Sequence, residues 1–343
     1  MRILIAVGGT GGHLFPAQQL AEMLKKEAKI HFAGHKLSTS PFFEKTGISF
    51  TEIDAHPLKK GFFKATWKGF WAAIRLVKNF SPDVIVGFGS FHVFPILLAA
   101  VILRKKLVLF EANTVLGKVN RLFRFHAIHM VFQFPISGRK EDRIVPLLPW
   151  NVSLDEKMDP KEARKRFGLH PEKITLLVVG GSQGAAFLNE VAPLALRALK
   201  VPLQVIHLTG PDEEEKVRKA YEVLGILACV KAFEKQMKEA YAAADIAFSR
   251  SGAGTIAELI RFQIPALLIP YPFATEDHQK KNGDFLVDKV KGARLLIQKE
   301  ATVEKISKEL QHLLHNKNEY KNHLEKAKLE SQGRPTFAGV LIR

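Results

Sequence analysis

The chain has little cysteine. Cys229 is the single one, so no internal disulfide can form and a disulfide scaffold is excluded. Its neighbours Ile226, Leu227, Ala228 and Val230 are apolar, which predicts a buried structural thiol rather than a reactive one, in keeping with a reducing cytoplasm. Long apolar runs are missing as well. The longest, Val93–Leu103, is closed by Arg104-Lys105-Lys106 and falls well short of the ~20 residues that a membrane-spanning helix needs. The N-terminal run Arg2–Val7 meets Gly8-Gly9 too soon to be a signal peptide and reads as a first strand. There is no Gly-Lys-Ser/Thr, so a phosphate-loop ATPase is excluded, and no Asp-x-Asp triplet, so nothing suggests a metal-bridged diphosphate. Acidic residues are in deficit: 34 Asp and Glu stand against 51 Lys and Arg, a net charge of +17. That balance favours anionic partners, whether nucleic acid, phosphorylated substrates or an anionic membrane surface, without choosing among them.

What is present is a globular composition, with 47% hydrophobic and 25% charged residues over 343 positions. At roughly 150 residues per domain, two domains are expected. Strand-like runs alternate with amphipathic stretches: Arg2–Val7, Ile30–Ala33, Asp83–Gly87 and Leu107–Phe110 as strands, with helices at Phe15–Glu27, Phe62–Asn79 and Val93–Leu103. The pattern pauses over the polar, proline-bearing stretch Arg139–Asp159 and restarts with strands at Ile174–Val179, Leu203–Leu208, Asp245–Phe248 and Ala266–Ile269, and helices at Ala185–Leu199 and Thr255–Phe262. The predicted class is α/β: two doubly wound Rossmann-like domains, 1–155 and 156–343, facing across a cleft, with the last helix free to pack back on the N-terminal one. A weak repeat supports this, since Ile3–Gly12 and Leu176–Gly184 both read as strand followed by glycine turn.

Three glycine-rich turns carry the chemistry. In Gly8-Gly9-Thr10-Gly11-Gly12-His13 the glycines admit a ligand to the backbone, and amides at a helix start point at an anion. His13 at this turn reads as a neutral base or as a capping or packing histidine. Gly180-Gly181-Ser182-Gln183-Gly184-Ala185 would admit a diphosphate, with Ser182 and Gln183 as donors, or be a tight turn alone. The strongest signal is Ser249–Glu258, where Ser251, Gly252, Ala253, Gly254 and Thr255 open a helix toward a phosphate and Glu258 accepts the two hydroxyls of a ribose, or else caps the helix. Gln279 is placed to bond sugar hydroxyls. Glu111 and Asn113 follow a strand, with Glu111 either functional or a carboxylate paired inside its domain.

One helix has a separate pattern. Over Phe62–Asn79, Phe63, Trp67, Phe70, Trp71, Ile74 and Val77 fall at helical spacing beside Lys64, Lys68, Arg75 and Lys78. This is either a core-packing helix or one that docks its aromatic face, through Phe63, Trp67, Phe70 and Trp71 with Lys64 and Lys68, on an anionic membrane.

With Gly8–Pro16 (GGTGGHLFP), Gly180–Ala185 (GGSQGA), Arg250–Glu258 (RSGAGTIAE) and His278–Asn282 (HQKKN) in this order, nearly the whole chain resembles the MurG family of cell-wall glycosyltransferases. The resemblance implies a GT-B fold. It implies inverting transfer of N-acetylglucosamine from UDP-N-acetylglucosamine to the C4 hydroxyl of undecaprenyl-pyrophosphoryl-N-acetylmuramoyl-pentapeptide, by a peripheral enzyme on the cytoplasmic face of the bacterial inner membrane. UDP-N-acetylglucosamine is then a substrate, and neither cofactor nor metal is required. It also implies that Thr10, Gly11 and Gly12 meet the donor's sugar end and that His13 is the general base, with Glu111 next in line. Asn113 and Gln279 would touch the sugar, Ser182 the diphosphate, and Ala253 to Glu258 the phosphate and ribose. The chain departs from the family where GGYVSGP becomes Gly89-Ser90-Phe91-His92-Val93-Phe94-Pro95 and HEQN becomes Phe110-Glu111-Ala112-Asn113. It departs again where FIDDM becomes Phe233–Met237 and where the arginine of NPVR has no counterpart at Trp150–Ser153. Two other readings are a UDP-N-acetylglucosamine 2-epimerase, which shares the architecture, and a basic nucleic-acid-binding protein. The second leaves the sugar-nucleotide motifs unexplained, and nucleic acid is not an expected partner.

Overall fold

The computed structural model describes the chain except residues 9–10, 46, 56–62, 136–144, 146–157, 182, 200 and 343. It divides into two compact units, Met1–Trp150 with Gly333–Arg343, and Asn151–Gln332. Each unit is a doubly wound α/β layer structure, as the alternation of elements predicts.

The first unit has a parallel sheet of six strands, β1 (Arg2–Gly8), β2 (Lys29–His35), β3 (Phe50–Glu52), β4 (Val84–Gly87), β5 (Lys106–Glu111) and β6 (His129–Phe132). The order is β3-β2-β1-β4-β5-β6. The second has β7 (Ile174–Val179), β8 (Leu203–Leu208), β9 (Ala228–Lys231), β10 (Ile246–Ser249), β11 (Ala266–Leu268) and β12 (Ala293–Leu295), in the order β12-β11-β10-β7-β8-β9. Counted from its own first strand, the second sheet repeats the order of the first, so the weak sequence repeat is a repeat of topology. In such sheets the direction of winding reverses between two central strands, and ligands bind outside their carboxyl ends. Here those pairs are β1 with β4 and β7 with β10.

Central strands are apolar throughout because helices cover both faces. Ile3 to Val7 and Leu176 to Val178 are fully buried. One side of the first sheet packs Leu4, Ala6, Ile85 and Leu109 against Phe70, Ile74 and Val77 of the helix Phe63–Phe80 and against Ile96 and Leu97 of the helix Phe94–Ile102. The second core sets Leu176, Val178 and Val205 against Leu188 and Leu196 of the helix Ala186–Leu199 and against Ile306, Leu310 and Leu313. Each such side chain contributes about 1.5–3 kcal/mol of burial.

Cys229 is only half-buried, contrary to the expectation of a fully buried thiol. The reason is that β9 is an edge strand, with β8 on one side alone. Among the described residues, no helix is long and apolar enough to cross a membrane.

Candidate functional site

Both glycine turns and the Ser249–Glu258 segment fall at the reversal points. In the first unit, β1 ends at Gly8 and the helix Gly11–Leu24 begins with Gly11, Gly12 and His13. His13 is half-buried. It lies against the segment following β4: a Cβ added to Gly89 (φ +62) would sit 3.4 Å from His13 Cε1. A side chain at Gly89 would therefore be strained by its backbone and would crowd the imidazole. Thr10 lies outside the described residues.

Glu111 ends β5 and is 3% exposed. Its Oε1 accepts from the backbone and side-chain amides of Asn113, both at 3.1 Å. Its Oε2 accepts from the Gly117 amide and from Asn120 Nδ2, both at 2.9 Å. Burial pushes the carboxyl above the usual carboxylate range, and these hydrogen bonds pull it part of the way back. Asn113 is thereby held by the carboxylate two residues before it. Gly117 and Asn120, which complete the set, carry no motif that reveals this role in the sequence.

In the second unit, the turn after β7 owes its glycines to close backbone packing. A Cβ at Gly180 would lie 2.4 Å from the Ala185 nitrogen, and one at Gly184 (φ +72) would lie 2.0 Å from the Thr209 carbonyl oxygen. Gln183 is exposed at this turn, and Ser182 lies outside the described residues.

After β10 comes the helix Ala253–Phe262, with Gly252 at its cap. A glycine cap spends no side chain on the first-turn amides and leaves them to an anion. Gly254 is exposed, while Gly252, Ala253 and Thr255 are partly so. Ser251 is fully buried: its hydroxyl donates to the Gln279 carbonyl at 2.8 Å, and its carbonyl accepts from Asn282 Nδ2 at 3.3 Å. Ser251 thus ties the turn to the helix His278–Asp284. Gln279 Oε1 accepts from the Tyr271 amide at 3.0 Å. Arg250 donates to the carbonyls of Ile269 at 3.1 Å and Pro270 at 3.2 Å, bracing the loop after β11.

Glu258 is partly exposed and accepts a hydrogen bond from the Tyr241 hydroxyl at 2.7 Å. Desolvation pushes its carboxyl up to about 7, and the bond from Tyr241 opposes that rise. Tyr241 is itself buried and stacks on Phe262 at 5.2 Å. It comes from the helix Met237–Ala243, and nothing in the sequence marks it as Glu258's partner.

The helix Phe63–Phe80 corrects one expectation. Trp67 is 60% and Trp71 54% exposed, but Phe70 is 6% exposed and faces the core with Ile74 and Val77. Consecutive residues on a helix point about 100° apart, so Phe70 and Trp71 take different faces. Lys68, Arg75 and Lys78 are exposed. The side chains of Phe63 and Lys64 lie outside the described residues. A second apolar group, unforeseen in the sequence, is exposed next to cations on and after the helix Lys118–Phe123: Leu122 and the 80%-exposed Phe125, beside Arg121 and Arg124.

The chain matches known proteins in both units. Residues 3–131 match the N-terminal domain of glycosyltransferase family 28, and residues 175–334 its C-terminal domain. A protein of Protochlamydia amoebophila named UDP-N-acetylglucosamine–N-acetylmuramyl-(pentapeptide) pyrophosphoryl-undecaprenol N-acetylglucosamine transferase is 42% identical over 329 residues, covering 91% of this chain and 87% of the relative. A protein of the same name from Aquifex aeolicus is 35% identical, covering 94% and 95%. Among solved structures, MurG of Acinetobacter baumannii aligns over 99% of this chain and 97% of its own with a TM-score of 0.77 and 26% identity. The Streptomyces glycosyltransferase SsfS6 shares the fold alone, at a TM-score of 0.66 and 13% identity. Matched in both units and along nearly its whole length, the chain belongs to glycosyltransferase family 28.

Proposed function

We propose that this chain is a UDP-N-acetylglucosamine-dependent N-acetylglucosaminyltransferase that carries out the transfer for which its relatives are named. The sugar moves to the C4 hydroxyl of undecaprenyl-pyrophosphoryl-N-acetylmuramoyl-pentapeptide, a step of peptidoglycan synthesis. The observation that carries the reading is the 42% identity over nearly the full length to a relative bearing that name.

The second unit takes the donor. The first-turn amides of the helix Ala253–Phe262 face the diphosphate, and Glu258 accepts the ribose hydroxyls. The first unit takes the acceptor. His13 removes the proton from the C4 hydroxyl as its oxygen attacks the anomeric carbon on the face opposite UDP. The bond from that carbon to the β-phosphate oxygen breaks, UDP leaves with the electron pair, and the anomeric configuration inverts. The positive helix end stabilises the charge that develops on the leaving diphosphate. Glu111, with both oxygens engaged by hydrogen bonds, is a positioning residue that presents Asn113, not the base.

The enzyme docks peripherally on the cytoplasmic face of the inner membrane, where its acceptor is anchored. Trp67 and Trp71 with Lys68, and Leu122 and Phe125 with Arg121 and Arg124, supply apolar groups flanked by cations. The test is product analysis. With the lipid-linked acceptor, UDP-N-acetylglucosamine should yield the disaccharide lipid and UDP. Conversion of the sugar nucleotide to its 2-epimer in the absence of acceptor would overturn the reading in favour of an epimerase.

A further inference from the structure

The end of β1 is crossed by the segment that follows β4. In the register of the first sheet, Gly8 stands beside His35. A Cβ added to Gly8 would lie 3.1 Å from both His92 Nδ1 and Ser90 Oγ, so these two side chains fill the space that glycine leaves. The His92 ring stacks on His35, with centroids 5.0 Å apart and planes 13° from parallel. Through Gly89, the same segment lies against His13. Residues 89–92 are thus wedged between the strand end that opens the first glycine turn and the imidazole of His13.

Ser90 holds this segment in an unusual conformation, φ 70° and ψ 145°. Only glycine adopts such angles readily, and for other residues they persist only where the surroundings enforce them. The enforcing groups belong to His92. Ser90 Oγ accepts from the His92 amide at 3.4 Å and lies 3.0 Å from His92 Nδ1. Here a serine tied to a histidine does what a glycine does unaided.

We propose that His92 is a positioning residue for the transfer. Its bond to Ser90 fixes the glycine-like backbone of residues 89–92, and that backbone forms the wall against which His13 rests. This inference depends on the reading of His13 as the base.

The experiment measures turnover and donor KM with the lipid-linked acceptor for His92→Ala, His92→Asn, His92→Gln and the double variant Ser90→Gly/His92→Ala. Thermal melting and UDP calorimetry serve as controls. A displaced base typically costs about 10²-fold, so His92→Ala should lose turnover on that scale with donor KM and UDP affinity unchanged. Asparagine places an amide where Nδ1 stands and should restore most of the activity, whereas glutamine, which reaches the Nε2 position, should not. Ser90→Gly should rescue His92→Ala, because glycine needs no tie to hold these angles. Retention of full turnover in His92→Ala would overturn the proposal. So would a loss that neither asparagine nor Ser90→Gly repairs, since His92 would then act by touching the acceptor. His13→Ala, run in parallel, keeps the two readings apart: if it retains turnover, the base assignment fails on its own.

Discussion

In the proposed role of Glu258 as the ribose acceptor, its protonation decides how strongly UDP binds near neutral pH. Only the carboxylate accepts both ribose hydroxyls, and desolvation lifts its carboxyl from 4.5 to about 7. UDP affinity should therefore rise with pH through that value and be up to about tenfold weaker at pH 6 than at pH 8. The same slope should be absent in Glu258→Gln, which separates it from titration of the diphosphate. Stability runs the other way. The folded state keeps a proton that the unfolded chain releases near its ordinary value, so the contribution is full below about 4.5 and is lost as pH rises to about 7. Glu258→Ala should weaken UDP binding by on the order of 1.5–3 kcal/mol in calorimetry, with the protein still folded. His13→Ala should reduce turnover by about 10²–10⁴-fold and move donor KM little; near-full turnover would place the base elsewhere. Both candidates were legible in the sequence because they sit beside glycine turns that follow recognisable strands. Tyr241, Asn120 and His92 were not. Each acts through a partner whose position depends on how loops of separate strands meet, and no local pattern encodes that.

At the scale of elements, strands buried on both faces announced themselves. Ile174–Val179 and Leu203–Leu208 are apolar runs that the structure turns into β7 and β8 with the expected bounds. The four strands missed are short and at the sheet edges: Phe50–Glu52, His129–Phe132, Ala228–Lys231 and Ala293–Leu295 borrow their order from a neighbour more than from their own residues. The helix Phe337–Ile342 is also short. Short and distant in sequence from the first unit, it inserts a fully buried Phe337 there, stacked on Phe110 at 5.3 Å and next to Phe88 at 5.9 Å. Phe110 precedes Glu111 and Phe88 precedes Gly89, so this ring packs against the immediate neighbours of both. Phe337→Ala should destabilise the first unit by about 3–5 kcal/mol, read as a lowered melting transition and reduced turnover. UDP binding, proposed for the second unit, should be unchanged; a variant that melts like the wild type would show that the stack contributes little.

For the molecule as a whole, the proposed docking sets the net charge of +17 and the exposed tryptophans against one partner, an anionic bilayer. Binding to anionic vesicles should weaken with salt, with Lys68→Glu, and with Trp67→Ala/Trp71→Ala, while UDP affinity stays the same. Equal binding to neutral and anionic vesicles would remove the cations from the docking role. The division of the chain also bears on how the protein is made. Its first unit is discontinuous, since Gly333–Arg343 rejoins Met1–Trp150 only after all of Asn151–Gln332 has been translated. Until Phe337 leaves the ribosome, Phe88 and Phe110 lack their cover, and the nascent first unit carries an open aromatic seam. Domains ordinarily fold in the order of their synthesis. Here the earliest-made sheet cannot be completed until the segment after the second unit has been made.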